Sequence, residues 1–138
     1  MHDLPGQLSV AELAELFSAR TRLVERLAAS EDPLGRAEEI ARAAPEEERV
    51  EALAAHPRIG ESSPEQRGDE AEVLAELAQL NRDYEQRFGF RFVVFVAGRS
   101  RQELLPLFRE RLDRTRDQEL ETGIAELAAI ARDRWRWR

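Results

Sequence analysis

Apolar residues along this chain recur mostly at intervals of three and four, the spacing of one face of an α-helix. Ser9 and Glu12 stand three apart ahead of the first such series, as in a capping box, and Leu13, Leu16, Phe17, Val24 and Leu27 follow on one face. Ser30 to Pro33 reads as a break. A shorter helix carries Ala37, Ile40, Ala41 and Ala44, after which Pro45 opens another. Glu46, Glu47 and Glu48 sit at its positive end, and Val50, Leu53 and Ala54 are expected to face inward. That helix must stop near His56, because a residue followed by proline is pushed out of helical geometry.

Pro57 to Ser63 reads as a loop, and Ser63-Pro64-Glu65-Gln66 has the form of a helix start. Gly68 and Asp69 interrupt. A long helix then runs through Val73, Leu77, Leu80 and Tyr84, with Gly89 as its stop. Phe90 to Val96 has strand-like composition but no evident partner strand, so a buried extended segment and a very apolar helix both remain open. Ser100 with Glu103 starts a helix bearing Leu104, Leu107, Phe108 and Leu112. The last helix shows Leu120, Ile124, Leu127, Ala131 and Trp135. The pattern predicts an all-α bundle of about seven helices, in a single domain spanning residues 1–138.

Composition narrows the chemistry. A chain of 138 residues with 42% apolar content suits one core, and no apolar run is long enough to span a bilayer. Its start lacks the basic and apolar regions of a signal peptide, which makes the cytoplasm the expected compartment. There is no cysteine, which removes disulfides, thiolate nucleophiles and zinc–thiolate sites. There is no lysine either, since all 21 basic residues are arginine, so no Schiff base to substrate or pyridoxal phosphate can form. The net charge of -7 argues against a nucleic-acid partner. The closing Arg-Asp-Arg-Trp-Arg-Trp-Arg is a local exception, read as a basic helix end that complements the dipole or as a surface-anchoring tail.

Two histidines occur, His2 near the chain start and His56. At a helix C-terminus the dipole favours imidazolium, so His56 is expected to titrate above the ordinary value of about 6.5 and to act as a general acid. On placement alone the commoner reading is a capping histidine that donates to the last carbonyls. Glu65 and Gln66 could orient a polar ligand beside free backbone N–H groups, or simply cap a helix, and Ser62 is equally open. Arg134, beside the apolar stripe of the last helix, could clamp a carboxylate or lie solvated.

Three stretches carry a resemblance. They are His56-Pro57-Arg58-Ile59-Gly60, then Ser62-Ser63-Pro64-Glu65-Gln66, then the run from Leu80 to Val93 that reads Leu-Asn-Arg-Asp-Tyr-Glu-Gln-Arg-Phe-Gly-Phe-Arg-Phe-Val. Together, in this order, they resemble the 2-oxo-4-hydroxy-4-carboxy-5-ureidoimidazoline (OHCU) decarboxylases, which act in urate degradation. Glu126, Ile130 and Arg134 fall at the family's intervals on the final helix. The resemblance runs from about Leu53 to Arg134 and implies an all-helical fold needing neither metal nor cofactor, often as a homodimer. It implies stereospecific decarboxylation of a small-molecule substrate, OHCU, to S-allantoin. Carried over, His56 is the catalytic histidine and proton donor, with Glu65 holding His56 or the ureido N–H groups. Pro57 is part of the pocket wall, while Ser62 and Gln66 contact the substrate's polar edge. Phe92, Val93, Val94, Phe95 and Val96 offer backbone groups to the ring and ureido moiety, and Arg134 meets a carboxylate or carbonyl oxygen. The N-terminal region looks shorter than is usual for the family, and Asp113 to Glu119 lacks its usual Asn-Asp pair.

Two rivals stand beside this reading. One is a decarboxylase of another carboxylated heterocycle on the same scaffold. The other is a non-catalytic helical interaction module that binds through Phe90 to Val96.

Overall fold

The computed structural model describes residues 3–60 and 69–138, and among them every regular element is a helix. In chain order these are α1 (Val10–Leu16), α2 (Arg22–Ala28), α3 (Ala37–Ala43), α4 (Glu46–Ala55), α5 (Asp69–Phe88), α6 (Arg101–Leu112) and α7 (Arg116–Arg136). The expected all-α architecture of seven helices is therefore present. The helix start expected at Ser63 to Gln66 lies outside the described residues.

Side-chain caps set four of the helix starts. The capping boxes of Ser9 with Glu12 and of Ser100 with Glu103 form as expected. A third, Thr115 with Gln118, starts α7. The series from Leu13 to Leu27 is divided between α1 and α2. Ser18 takes φ +75° after α1, and the Thr21 hydroxyl accepts from the Val24 N–H to begin α2. A non-glycine residue in that region has no clear sequence signal. Gly89, at φ +81°, ends α5 as expected.

One inward face was misphased. Ala54 is exposed and Ala52 takes its place in the core. The buried stripe of α4 is Glu48, Ala52 and Leu53, and Glu48 is tolerated there because Arg26 pairs with it. An acidic residue inside the stripe hides its phase from an apolar-only reading.

The long α7 is the spine of the bundle, packing against α1, α3 and α4, while α5 packs against α6. Gly123 permits the close approach of α4, since a Cβ there would meet the Leu53 side chain at 3.2 Å.

Residues 90–98 belong to neither a strand nor a helix. Their carbonyls are held by arginine side chains in place of a partner strand. Arg111 Nη1 donates to Val93 O at 2.7 Å, and Arg99 donates to Phe95 O at 2.6 Å and to Val96 O at 3.0 Å. Apolar packing fixes the same stretch from within. Phe92 stacks on Phe108 with ring centroids 3.7 Å apart, Tyr84 meets Phe92 edge-on at 5.2 Å, and the Arg111 guanidinium lies 4.3 Å over the Phe92 ring.

Arg111 is itself buried, against a fully buried Glu119. The Glu119 carboxylate accepts from Arg111 Nε at 2.7 Å, from Tyr84 Oη at 2.6 Å and from Arg114 Nη1 at 3.0 Å. Burial first, and then the Glu119 carboxylate, push the Tyr84 phenol well above its ordinary value, so it remains a proton donor within this network.

Candidate active site

His56 caps the C-terminus of α4, its N–H donating to Leu53 O at 3.2 Å. It opens into a cleft of about 530 Å³ whose walls come from three places. Pro57, Arg58, Ile59 and Gly60 follow it directly, Phe92, Val94 and Val96 form the facing wall, and Arg99, Arg101, Leu104 and Arg134 close the rim.

The loop after His56 is pinned to α5. Arg58 grips Glu85 through Nε at 2.7 Å and Nη2 at 2.9 Å, and Asn81 Nδ2 donates to Ile59 O at 3.3 Å. Gly60, at φ +84°, turns the chain where a Cβ would come within 3.1 Å of Leu74.

The electrostatics of His56 run opposite to the expectation from the helix dipole. Burial, then the positive charges of Arg134 and Arg91, lower its pKa to about 4. Burial and the two guanidinium charges outweigh the pull of a ten-residue helix end, worth about 0.3–1 kcal/mol. The resting imidazole is therefore neutral near neutral pH. Its Nδ1 is buried and has no hydrogen-bond partner among the described residues.

Arg134 reaches the site from α7. Its Nη1 donates to Leu16 O at 2.8 Å and to Ser18 Oγ at 3.0 Å, which holds the side chain at the end of α1. Neither Arg134 nor Arg99 forms an ion pair among the described residues, and no carboxylate is among the described residues that line the cleft. A cleft lined by four arginines and one neutral histidine is suited to an anion.

The stretch expected to face the ligand divides by alternation. Phe92, Val94 and Val96 line the cleft, while Val93 and Phe95 do not. The Val93 and Phe95 carbonyls are already taken by Arg111 and Arg99. The backbone N–H groups of residues 92–96 make no hydrogen bond among the described residues, which leaves them available as donors. Ser62, Glu65 and Gln66 lie outside the described residues. Arg91, Arg99, Arg101 and Arg111 were not singled out from sequence, since nothing in periodicity distinguishes one arginine among 21.

A larger cleft, of about 650 Å³, lies between α3, the start of α4 and α7. Its walls alternate Arg36, Arg42, Arg49 and Arg132 with Glu38, Glu39, Glu46, Asp117 and Glu121, so it lacks the one-signed lining of the His56 cleft. Among the described residues no group of three or more histidine, aspartate or glutamate side chains is placed to hold a metal.

The family model for OHCU decarboxylase matches residues 3–136. The chain belongs to the OHCU decarboxylase family. Among curated relatives of this family member, the uric acid degradation bifunctional protein PucL of Bacillus subtilis is 31% identical over 107 residues, covering 69% of this chain and 22% of the relative. The uric acid degradation bifunctional protein TTL of Arabidopsis thaliana is 33% identical over 98 residues, covering 59% and 30%. The chain thus spans less than a third of the length of these relatives. A crystal structure of OHCU decarboxylase in the presence of (S)-allantoin matches with a TM-score of 0.73 at 25% identity, covering 89% of this chain and 94% of that one. An (S)-allantoin synthase structure matches in fold, with a TM-score of 0.67 at 20% identity over 91% of this chain and 47% of that one.

Proposed function

We propose that this chain decarboxylates OHCU to S-allantoin, with His56 as the proton carrier. The observation that carries the proposal is the placement of a neutral, partly buried His56 in an arginine-lined cleft of an OHCU decarboxylase family member.

The chemistry asks for little machinery. The bond to the carboxylate breaks, CO2 leaves, and the electron pair is taken up by the substrate's own unsaturated system. The hydroxyl on the carboxylated carbon becomes a ring carbonyl and loses its proton, a ring carbon gains one, and the ring nitrogen that received the electron pair takes one more from solvent, which balances the charge of the lost carboxylate. A neutral imidazole can take the first proton and return the second, with no net change in its own charge. His56 therefore acts as a shuttle that starts neutral, rather than as the preformed acid expected from its helix position. Arg134 holds the departing carboxylate before the bond breaks, and free N–H groups among Phe92, Val94 and Val96 hold the ring and ureido oxygens. Pro57 and the side chains of Phe92, Val94 and Val96 exclude water. Ser62, Glu65 and Gln66 enter the proposal through the resemblance alone, as contacts to the polar edge of the substrate. So do action as a single domain in the cytoplasm and assembly into a homodimer, the last of which sedimentation velocity measures directly.

Freshly generated OHCU, followed by ultraviolet absorbance and circular dichroism, tests the activity. Faster decay with protein than without, giving one allantoin enantiomer, is the expected result. Decay at the spontaneous rate would remove the activity and leave another carboxylated heterocycle as the substrate to seek.

A further inference from the structure

We propose that Arg91 is a positioning residue for His56, tying the end of α4 to the wall of the cleft opposite. The proposal deepens the decarboxylase reading and rests on it for the role of His56. Arg91 Nη1 donates to two carbonyls, Ala54 O and His56 O, each at 2.7 Å. Both lie at the C-terminal end of α4, where carbonyls have no partner within the helix. Gripping the His56 carbonyl fixes the backbone on which the imidazole turns. The neighbouring residue, Phe92, is 1% exposed and stacked on Phe108, so Arg91 is anchored on a rigid base.

Helix capping alone does not account for the arrangement. Arg91 Nε is buried and finds no acceptor among the described residues, a costly feature for a charged group whose purpose was stability. What the geometry satisfies is reach to the two carbonyls that flank the turn at His56. Its charge also faces the imidazole, as does that of Arg134 from α7, with Arg99, Arg101 and Arg58 lining the same cleft and Glu85 of α5 paired to Arg58. Arg91 thus fixes where His56 sits and opposes its protonation until an anion arrives.

The experiment uses the full chain carrying His2→Gln, which leaves His56 as the one histidine, so its imidazole can be titrated by NMR without overlap. In this background Arg91→Gln is expected to raise the His56 midpoint by a few tenths of a pH unit, Arg91 acting on it less than burial and Arg134 do. The same variant is expected to lower kcat for OHCU about tenfold or more with little change in KM, as for a misplaced reacting group. Arg91→Lys keeps the charge, but its side chain ends one bond short of the Nη1 position between the two carbonyls, so its midpoint stays low while kcat still falls. An unchanged midpoint in Arg91→Gln, or unchanged kcat in either variant, overturns the proposal. If Arg91→Gln does not fold, Arg91→Lys decides by kcat alone. If the parent itself does not turn over OHCU, the activity reading fails separately. The midpoint comparison then still judges the hold of Arg91 on His56.

Discussion

At the scale of single residues the site is governed by two competing pulls on His56. The α4 dipole favours imidazolium, and burial beside Arg134 and Arg91 disfavours it more strongly. A base whose folded pKa lies below its unfolded value favours the folded state only while it stays neutral. The stability it contributes is therefore complete above about pH 6.5. It is lost as the pH falls through the folded value of about 4. His56→Gln should accordingly flatten the loss of Tm between those two limits, and a melting series across that window checks it. The same substitution should lower kcat by about a hundredfold or more, the usual reach of a lost proton carrier. Arg134 makes a different prediction. Because its guanidinium is already placed by Leu16 O and Ser18 Oγ, Arg134→Gln removes a ready clamp. KM should rise about tenfold, the worth of a charge-assisted bond, while the fold is kept.

At the scale of elements, the cleft wall is an irregular segment whose geometry is set by arginines arriving from elsewhere. Arg111 is central, since it joins Val93 O to the fully buried Glu119. Glu119→Gln leaves a buried guanidinium without its counter-charge and should cost about 3–5 kcal/mol in urea unfolding. Tyr84→Phe removes one hydrogen bond from the same network and should cost nearer 1 kcal/mol. Similar losses for the two would show that the Arg111–Glu119 pair is not what the wall depends on. Gly60→Ala tests the other wall, because φ +84° and a contact of 3.1 Å to Leu74 both oppose a side chain. A loss of about 1 kcal/mol with a raised KM is expected.

These elements also show where sequence reading works. Ser9, Ser100 and Gly89 act through bonds three or four residues away, and each boundary they mark was legible. The residue order at His56-Pro57 fixed a helix end for the same local reason. The 90–96 segment was legible only as an open choice between a buried extended segment and an apolar helix, because Arg111, which holds Val93 O, stands 18 residues away. Glu48 misled for a related reason, its burial depending on Arg26 from another helix. The sign of the His56 shift failed likewise, since burial, its largest cause, and then Arg134 from the far end of the chain both come from tertiary packing.

At the scale of the whole molecule, an acidic protein of net charge -7 carries a cleft whose described walls hold arginines and no carboxylate. Arg58 and Arg101 are partly neutralised by Glu85 and Glu70, so Arg99 and Arg134 supply most of the uncompensated charge. A concave, positively lined site focuses its field outward and raises the local concentration of an anion. The acidic exterior repels the same anion at longer range. The two effects have different reach, and salt separates them. The Debye length falls from about 30 Å at 0.01 M to about 3 Å at 1 M. Moderate salt therefore screens the distant exterior first, and higher salt then screens the capture of substrate by Arg99 and Arg134. The expected outcome is a kcat/KM for OHCU that is flat or slightly raised at first and then falls, with the change in KM and not in kcat. Kcat is expected to hold because the proposed proton transfers by His56 take place on substrate already bound in the cleft. Arg99→Gln should flatten the falling limb if it leaves the turn at Phe95 and Val96 intact, which circular dichroism can verify. A fall carried by kcat instead would mean that salt reaches the reacting groups, and that the cleft is more open in solution than its arginine-pinned walls require.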